Sequence, residues 1–310
     1  GASMRRTTTR TTPMTLSTPI LTAPALSLRE PRRADAAPAG RIAYEAFRRI
    51  NAAHGFPPDF PNPESAAGLL AALIDDASVF GVIAEAEGRV VGSNFLLERD
   101  PVRGIGPITV DPAWQSAGIG RRLMQVVLNR AGPGTRVRLV QAAFNARSLA
   151  LYTTLGFAAK EPLMLIEGRP AAAVSAGFQV RPMTPEDIAP AAALCTAVHG
   201  ITRSGEIRDA LRLFAPQVVE RDGRITGYLT APGTWHMNHG VAETEADMRA
   251  LLTGAANLSG RPLSLLLPIR QTGLFRWCLD AGMRAVMPMT LMAIGDYQDP
   301  AGAWFPSVFY

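Results

Sequence analysis

The sequence runs through one pattern of segments twice, and this duplication limits the possible folds more than any other feature. LREPRRADAAPA, beginning at Leu28, resembles VRPMTPEDIAPA, beginning at Val180. TRVRLVQAAFNARSLALYTTLGF, beginning at Thr135, resembles RPLSLLLPIRQTGLFRWCLDAGM, beginning at Arg261, with a constant offset of 126 residues. The chain is therefore predicted to contain two copies of one fold in series.

The order of segments within each copy predicts the fold class. Each copy reads as a strand, two helices, two or three strands, a helix, a strand, a helix and final strands. This order favours an α+β fold, with a mixed, mainly antiparallel sheet flanked by helices, over a doubly wound fold. We expect domains at residues 26–168 and 178–310, because the segment between them is rich in small residues, Gly and Pro. Residues 1–25, which include an expression remnant before Met4, are expected to form a disordered tail.

Composition narrows the function classes. Of the 310 residues 47% are hydrophobic and 18% charged, and no apolar run is long enough to cross a membrane, so a soluble protein without a membrane partner is expected. The net charge of +5 owes much to arginines near the N-terminus, which gives little support for nucleic-acid binding. Cys195 and Cys278 lie far apart and match no disulfide or metal spacing. A cytoplasmic protein without a metal is predicted.

A glycine-containing loop before a helix is the first candidate site. GIGPITV (104–110) predicts a strand, DPAWQSAGIG (111–120) a loop, and RRLMQVVLNRA (121–131) an amphipathic helix. Backbone N–H groups in such a loop, together with the partial positive charge of a helix N-terminus, suit the pyrophosphate of a nucleotide. A tight turn without a ligand is the alternative. The glycine pattern is incomplete for a dinucleotide-binding motif.

Two motifs resemble those of the GCN5-related N-acetyltransferase (GNAT) family. QSAGIG (115–120) fits the Q/R-x-x-G-x-G/A signature, and NARSLALY (145–152) followed by LGF (155–157) is similar to the second family signature. The resemblance covers about residues 26–168 and, more faintly, 178–296. It implies two tandem GNAT-like domains and acetyl-CoA, or another acyl-CoA, as the acyl donor.

The resemblance also implies which residues bind the cofactor. Backbone of the strand would pair with the pantetheine arm, and N–H groups of the loop would bind the pyrophosphate, where a side chain on either glycine would block approach or strain the backbone. Asn145 either contacts the cofactor or only caps the helix that it begins. The predicted cofactor-binding residues are Ile108, Thr109, Val110, Gln115, Ser116, Ala117, Gly118, Ile119, Gly120, Arg121 and Asn145.

Tyr152 is the predicted catalytic residue. By the resemblance its phenol would protonate the departing thiolate as general acid, although an aromatic core residue is the alternative interpretation. A general base must accept the proton of the amine, and the strand at 104–110 carries no Asp or Glu, unlike the strand of many relatives. The candidates, unranked, are His54, Asp59, Glu98, Asp100 and the carboxylate of Tyr310.

The segment HGFPPDFPNP (54–63) is the candidate acceptor wall. In related enzymes the connection between the first two helices lines the acceptor site, which makes His54, Phe56, Asp59 and Phe60 the predicted substrate-binding residues. A proline-rich loop that packs its own phenylalanines is the alternative.

The second copy is predicted to be a silent, structural domain that shapes the acceptor pocket of the first. It lacks eight residues across the glycine loop, and acids that would repel a pyrophosphate, such as Glu245 and Asp247, stand where the helix begins. Gln271 replaces Asn145, and Cys278 replaces Tyr152. The two histidines of HMNH (236–239) have no partner at a recognised metal spacing.

Together these features predict an enzyme that transfers an acetyl group from acetyl-CoA to a primary amine, by direct attack and with a small-molecule acceptor. A non-catalytic acyl-CoA-binding sensor or interaction module is the alternative. Acceptor identity, acyl length and oligomeric state have no signature in the sequence.

Overall fold

The computed structural model describes residues 25–310, so the tail predicted for residues 1–25 lies almost entirely outside the described residues. We call residues 25–168 the first half and residues 178–310 the second half. The strands of the first half are β1 (Leu26–Arg29), β2 (Val79–Ala86), β3 (Arg89–Leu97), β4 (Arg103–Ile105), β5 (Thr109–Val110), β6 (Val137–Ala142) and β7 (Ala158–Gly168). Its helices are α1 (Ala36–Ala53), α2 (Pro63–Asp75), α3 (Ile119–Ala131) and α4 (Ala146–Thr154).

The second half repeats this order, except that it has one strand in place of β4 and β5 and an additional final strand. Its strands are β8 (Phe178–Pro182), β9 (Gln217–Arg221), β10 (Arg224–Leu229), β11 (Gly240–Ala242), β12 (Leu263–Pro268), β13 (Arg284–Ile294) and β14 (Ala303–Phe305). Its helices are α5 (Ile188–His199), α6 (Ser204–Leu213), α7 (Glu245–Ser259) and α8 (Thr272–Asp280). Apart from β11, which stands in place of β4 and β5, and the additional β14, the duplication therefore extends from the sequence to the elements.

Two sheets organise the described residues. One has nine strands in the order β1-β2-β3-β4-β6-β13-β7-β12, with β5 paired to β3, and the other has five strands in the order β14-β11-β10-β9-β8. All pairings are antiparallel except that of β4 with β6. The predicted α+β class, with mixed and mainly antiparallel sheets flanked by helices, is confirmed.

The halves exchange strands, which the sequence analysis did not anticipate. β13 of the second half lies between β6 and β7, and β12 covers the other edge of β7. At the offset of 126 residues, β12 is the counterpart of β6 and β13 the counterpart of β7, so the order β6-β13-β7-β12 places equivalent strands about an approximate two-fold axis. The nine-stranded sheet is therefore built from both halves, whereas the five-stranded sheet contains strands of the second half alone.

Polar contacts also join the halves. Arg99 of the first half forms ion pairs with Asp76 and with Asp209 of α6. The carboxylate of Asp100 accepts the backbone N–H groups of Gly205 and Glu206, each at 3.0 Å, in the first turn of α6. These groups would otherwise be among the four unpaired donors of a helix start. The second half is therefore docked in a fixed orientation.

Three features matter for the function class within residues 25–310: disulfides, metal sites and membrane-spanning helices. Cys195 and Cys278 are free thiols, and both are buried. No group of three or more His, Cys, Asp and Glu side chains in this range could hold a metal ion. None of the helices described combines the length and the apolar character that crossing a bilayer requires.

Candidate active site

The predicted strand at residues 104–110 is split into β4 and β5. Gly106 lies between them with φ +136°, a backbone conformation that side-chain-bearing residues rarely adopt. β4 pairs with both β3 and β6, whereas β5 pairs with β3 alone. The edge of the sheet is consequently open next to β5, and a cavity of about 630 Å³ lies there.

The start of α3 supplies the anion cradle. Gly118 is the residue that caps this helix, and its φ of +77° is the left-handed conformation that favours glycine. Within residues 25–310, the backbone N–H groups of Ile119, Gly120 and Arg121 donate to no protein acceptor. Three open donors at a helix N-terminus suit a phosphate group, so the loop meets the physical requirement for binding a pyrophosphate.

Two arginines stand beside this cradle. Arg121 donates to the hydroxyl of Thr154 at 2.7 Å, and Arg147 donates to the hydroxyl of Ser116 at 2.9 Å. Both guanidinium groups belong to exposed residues that line the cavity. Arg147 was missed as a binding residue, although it lies inside the NARSLALY motif. The entrance to the cavity therefore carries positive charge suited to phosphates.

The structure brings the predicted cofactor-binding residues together, with Ala117 outside the cavity lining. Those that line the cavity are Ile108, Thr109, Val110, Gln115, Ser116, Gly118, Ile119, Gly120, Arg121 and Asn145. Two buried side-chain atoms have no hydrogen-bond partner among residues 25–310: the hydroxyl of Thr109 and the side-chain amide oxygen of Gln141, a lining residue on β6. Buried polar atoms are normally satisfied, so these two are fitted for a ligand.

Asn145 begins α4 and Tyr152 lies near its end. The side-chain oxygen of Asn145 accepts the backbone N–H of Ser148 at 3.2 Å, so the residue is a helix cap and also lines the cavity. Both interpretations of Asn145 are therefore compatible with its position.

The Tyr152 side chain is buried but forms part of the cavity wall. Its ring packs edge-on against Phe157, with centroids 6.1 Å apart. Burial raises the pKa of its phenol well above the ordinary value of 10. The hydroxyl therefore stays protonated at neutral pH and can act as a proton donor.

Residues 54–63 divide into two sets. Asp59 and Phe60 line the cavity, whereas His54 and Phe56 do not. The rings of His54 and Phe56 pack on Phe144, with centroids 5.1 Å and 4.5 Å away. His54 and Phe56 therefore contact the connection between β6 and α4, outside the cavity lining, and their predicted substrate contacts stay a prediction.

Asp59 is the one base candidate with a place in the cavity lining. Its carboxylate accepts a hydrogen bond of 2.7 Å from the side-chain amide of Asn51, a buried residue of α1. Burial raises the pKa of Asp59 to about 6, and the bond from Asn51 only partly opposes this effect. A carboxylate with such a pKa can take a proton near neutral pH.

The other acids proposed as bases have structural partners. Glu98 makes a bidentate ion pair with Arg130, and this hydrogen-bonded pairing lowers the pKa of Glu98. Asp100 caps α6 as described above. Tyr310 is buried outside the cavity lining, and its main-chain oxygen, part of the carboxylate considered as a base, accepts a hydrogen bond of 3.5 Å from the Ser307 hydroxyl.

The second half contributes one wall of the cavity, in line with a second copy that shapes the acceptor pocket, although no residue of this wall was predicted from the sequence. His236 stacks between the rings of Phe60 and Trp235, with centroid distances of 5.1 Å and 3.8 Å. His236 Nε2 is buried without a hydrogen-bond partner, and burial lowers the pKa of the imidazole to about 4. A neutral ring therefore faces the first half. Val308 and Phe309, beyond β14, complete this wall.

In the second half, the sheet edge that corresponds to the open edge beside β5 is covered by strand β14. β14 pairs with β11 over residues 240–242, the counterparts of residues 106–108. Gln271 is at the position of Asn145. Its side-chain amide donates to the backbone carbonyl oxygen of Trp304 at 2.7 Å and accepts the backbone N–H of the same residue at 3.0 Å. Cys278, at the position of Tyr152, is buried in the core, and burial raises the pKa of its thiol to about 12. The first-half arrangement is thus not repeated.

At the start of α7, unlike that of α3, side chains of the protein itself accept the backbone N–H groups. Thr244 and Asp247 form a reciprocal pair in which each side chain accepts the backbone N–H of the other. Asp247 is also bound by Arg221 and Thr226. The turn that would bind an anion therefore already holds the carboxylate of the chain itself.

Comparisons with known proteins agree with this geometry. Residues 44–157 match the sequence model of the acetyltransferase (GNAT) family, whereas no curated protein matches the chain. A protein from Pyrococcus horikoshii, described as a proposed acetyltransferase, has a similar fold, with a TM-score of 0.70, 15% identity, and coverage of 94% of this chain and 98% of its own.

Two further solved structures resemble both halves together. A GCN5-related N-acetyltransferase from Sphaerobacter thermophilus gives a TM-score of 0.60 at 17% identity, covering 88% of this chain and 98% of its own. A tandem GNAT protein from the clavulanic acid biosynthesis pathway gives 0.54 at 15% identity, covering 91% and 100%. At these identities the likenesses establish the fold alone, over the part of the chain that they cover.

Proposed function

We propose that this chain, which belongs to the GNAT family through its first half, transfers an acetyl group from acetyl-CoA to the primary amine of a small molecule. The family match supports acetyl transfer from acetyl-CoA in general. One observation carries the finer proposal: the open donors of Ile119, Gly120 and Arg121 share a single cavity with Tyr152 and Asp59. An anion cradle, a proton donor and a proton acceptor are the parts that acyl transfer to an amine requires.

The residues of the cradle fit coenzyme A by charge and shape. The N-terminus of α3 would hold the pyrophosphate, with Arg121 and Arg147 beside it for the remaining phosphate charge. The free edge of β5, at Thr109 and Val110, would pair with the amides of the pantetheine arm. When bound, acetyl-CoA supplies an acetyl thioester that an amine can attack directly.

Tyr152 and Asp59 would move the protons. The amine reaches the enzyme mostly as an ammonium ion, which must lose a proton before its lone pair can react. Asp59, with a pKa near 6, would accept that proton directly or through water. Tyr152 would donate a proton to the departing sulfur, because its buried phenol remains protonated.

A small-molecule acceptor is favoured by the enclosure of the cavity. Trp235, His236 and Phe309 of the second half stand across from α1 of the first half, so the acceptor region has protein on both sides. A folded protein substrate would need an open surface there. The free thiols of Cys195 and Cys278 are compatible with the proposed cytoplasmic location.

The test is thiol release from acetyl-CoA by the wild-type protein with a panel of primary amines, combined with calorimetry of acetyl-CoA binding. We expect binding and amine-stimulated thiol release. A specific observation favours the alternative, an acyl-CoA sensor: the strand at residues 104–110 carries no carboxylate. Tight binding of acetyl-CoA with no release for any amine would contradict the transferase and support the sensor.

A further inference from the structure

The wall of the cavity away from the cradle is apolar and aromatic. Phe47 and Phe60 come from the first half, and Trp235, Val308 and Phe309 come from the second. Phe47 and Phe60 lie with ring centroids 6.4 Å apart, and Phe60 continues into the stack with His236. Such a wall buries an apolar or aromatic body favourably, since aromatic rings gain from further ring contacts.

A single carboxylate interrupts this wall. Among the cavity-lining residues in the described range 25–310, Asp59 is the only acid. The arginines in the lining stand elsewhere: Arg121 and Arg147 flank the cradle, and Arg49 is exposed on α1. The acceptor region therefore offers one negative charge and no cation buried beside it.

We infer that the acceptor is a primary amine with one positive charge on an aromatic or bulky apolar body, and that Asp59 is the counter-ion of its ammonium group. This inference rests on the proposed function and names the substrate class of the same site. The apolar body would lie on the ring of Phe60, and Nε2 of His236 offers one further hydrogen bond to a polar substituent.

The charge balance excludes two other classes of amine. A polyamine or an aminoglycoside would bring further ammonium groups into a wall that has no second carboxylate. An amino acid would bring a carboxylate that meets neutral His236 and apolar side chains. A charge buried without a partner is strongly unfavourable, so both classes should bind poorly.

The surroundings of Asp59 predict that binding of an amine changes the pKa of its carboxyl group. Asn51 of α1 donates to the carboxylate, the aromatic neighbours are uncharged, and His236 from the second half is neutral above pH 4. Burial is thus the main cause of the raised pKa of Asp59. An ammonium ion beside the carboxylate favours its charged form and should lower that pKa again. At pH 5 the free carboxyl is mostly protonated, so binding of the amine should release a proton.

The first experiment is calorimetry of 2-phenylethylamine binding at pH 5 and pH 8, in buffers of different ionisation enthalpy. We expect release of close to one proton at pH 5 and none at pH 8. Asp59→Asn should abolish the release and weaken binding about tenfold or more, since it removes a buried counter-charge. Glu64→Gln, on the exposed start of α2, is the matched control and should change neither result.

A second experiment tests the apolar body. Spermidine and phenylalanine should bind at least about tenfold more weakly than 2-phenylethylamine. Phe60→Leu should weaken binding of 2-phenylethylamine by several-fold and that of hexylamine less, because only the aromatic amine loses a ring contact. Phe80→Leu, outside the cavity lining, is the control.

The outcomes separate this inference from the proposed function. Preferred binding of spermidine or phenylalanine, or proton release that persists in Asp59→Asn, would overturn the acceptor assignment, while thiol release with those amines would leave the transferase intact. Conversely, binding of 2-phenylethylamine with proton release, but without thiol release for any amine, would support the ammonium site and contradict the proposed transfer.

Discussion

The two halves share one order of elements but treat the same sheet edge differently. In the first half the edge of β5 is free and the N–H groups at the start of α3 are open, next to a cavity of about 630 Å³. In the second half β14 covers the edge of β11, and a Thr244–Asp247 pair closes the start of α7. An unpaired strand edge and an unpaired helix start both need partners; the second copy supplies them itself, whereas the first leaves them open to the cavity.

The same comparison shows how the copy with the closed edge contributes to the cavity of the other. The segment that follows β14 crosses to the first half, where Val308 and Phe309 line the cavity. Gly104 of β4 has no room for a side chain, because a Cβ there would lie 2.4 Å from the carbonyl oxygen of Phe309. The second half thus has a covered edge of its own and supplies one wall of the cavity in the first half.

The largest expected effect concerns the two equivalent positions on α4 and α8. Tyr152→Phe should lower kcat by about 10²–10⁴-fold, since it removes the general acid, and should leave acetyl-CoA affinity unchanged. Cys278→Ala should leave kcat unchanged, because Cys278 is a core residue. Steady-state kinetics with one amine test both, and full activity of Tyr152→Phe would refute its role.

The next largest effect is expected from weakening the contact of β14 with β11. Phe305→Ala removes a buried ring of β14 that packs on Gly240, and should reduce the free energy of unfolding by about 3–5 kcal/mol. Leu258→Ala, on the exposed face of α7, should change it by less than about 0.5 kcal/mol. Denaturant unfolding measures both variants. A Phe305→Ala protein as stable as the wild type would show that β14 does not hold this edge.

A third prediction makes the start of α3 resemble that of α7. Gly120→Asp places a carboxylate in the cradle, and the resulting repulsion should weaken coenzyme A binding about a hundredfold. The fold should persist, since a Cβ at Gly120 would make only ordinary contacts with Leu151 and Val110, at 3.6 and 3.9 Å. Gly120→Ala is the uncharged control. Equal affinities of the Asp and Ala variants would contradict the anion cradle.

The smallest expected effect is that of the Asp59 charge on the stability of the fold. It shows whether the charged carboxylate destabilises the folded protein or supports it. Asp59 keeps its proton in the folded protein up to a pKa of about 6, whereas the unfolded carboxyl ionises at 3.8. Stability is therefore lost as the pH rises from 3.8 through 6, by about 2–3 kcal/mol for this group.

Asp59→Asn mimics the protonated form and should raise the unfolding free energy by about that amount at pH 8 but not at pH 4. Thermal unfolding at both pH values measures it, with Glu64→Gln as the control. A destabilised Asp59→Asn at pH 8 would mean that the charged carboxylate supports the fold.

Much of the first half was predictable because its signals are local. A glycine with positive φ before a helix, an Asn cap and a tyrosine near the helix end have fixed spacing in the chain, and Gly118, Asn145 and Tyr152 all reach one cavity. Tertiary placement was less predictable. His54 and Phe56 belong to the predicted loop, yet pack on Phe144.

The sequence indicated that the second copy shapes the pocket of the first, but it carried no signal for which residues of that copy reach the cavity. Trp235 and His236 reach the first half only because β13 inserts between β6 and β7 and fixes the orientation of the two copies. Strand exchange between equivalent strands leaves the hydrophobic pattern of each strand unchanged, so periodicity cannot reveal it. The same limit hid β14, whose partner on β11 lies 60 or so residues earlier in the chain.

The most direct test of the central claim is the stoichiometry of coenzyme A binding by titration calorimetry on the wild-type chain. An open cleft in the first half and a filled one in the second predict one molecule per chain, with affinity lost in Gly120→Asp and retained in Thr244→Ala. Two equivalent sites per chain, or binding that is lost in Thr244→Ala and retained in Gly120→Asp, would contradict the account.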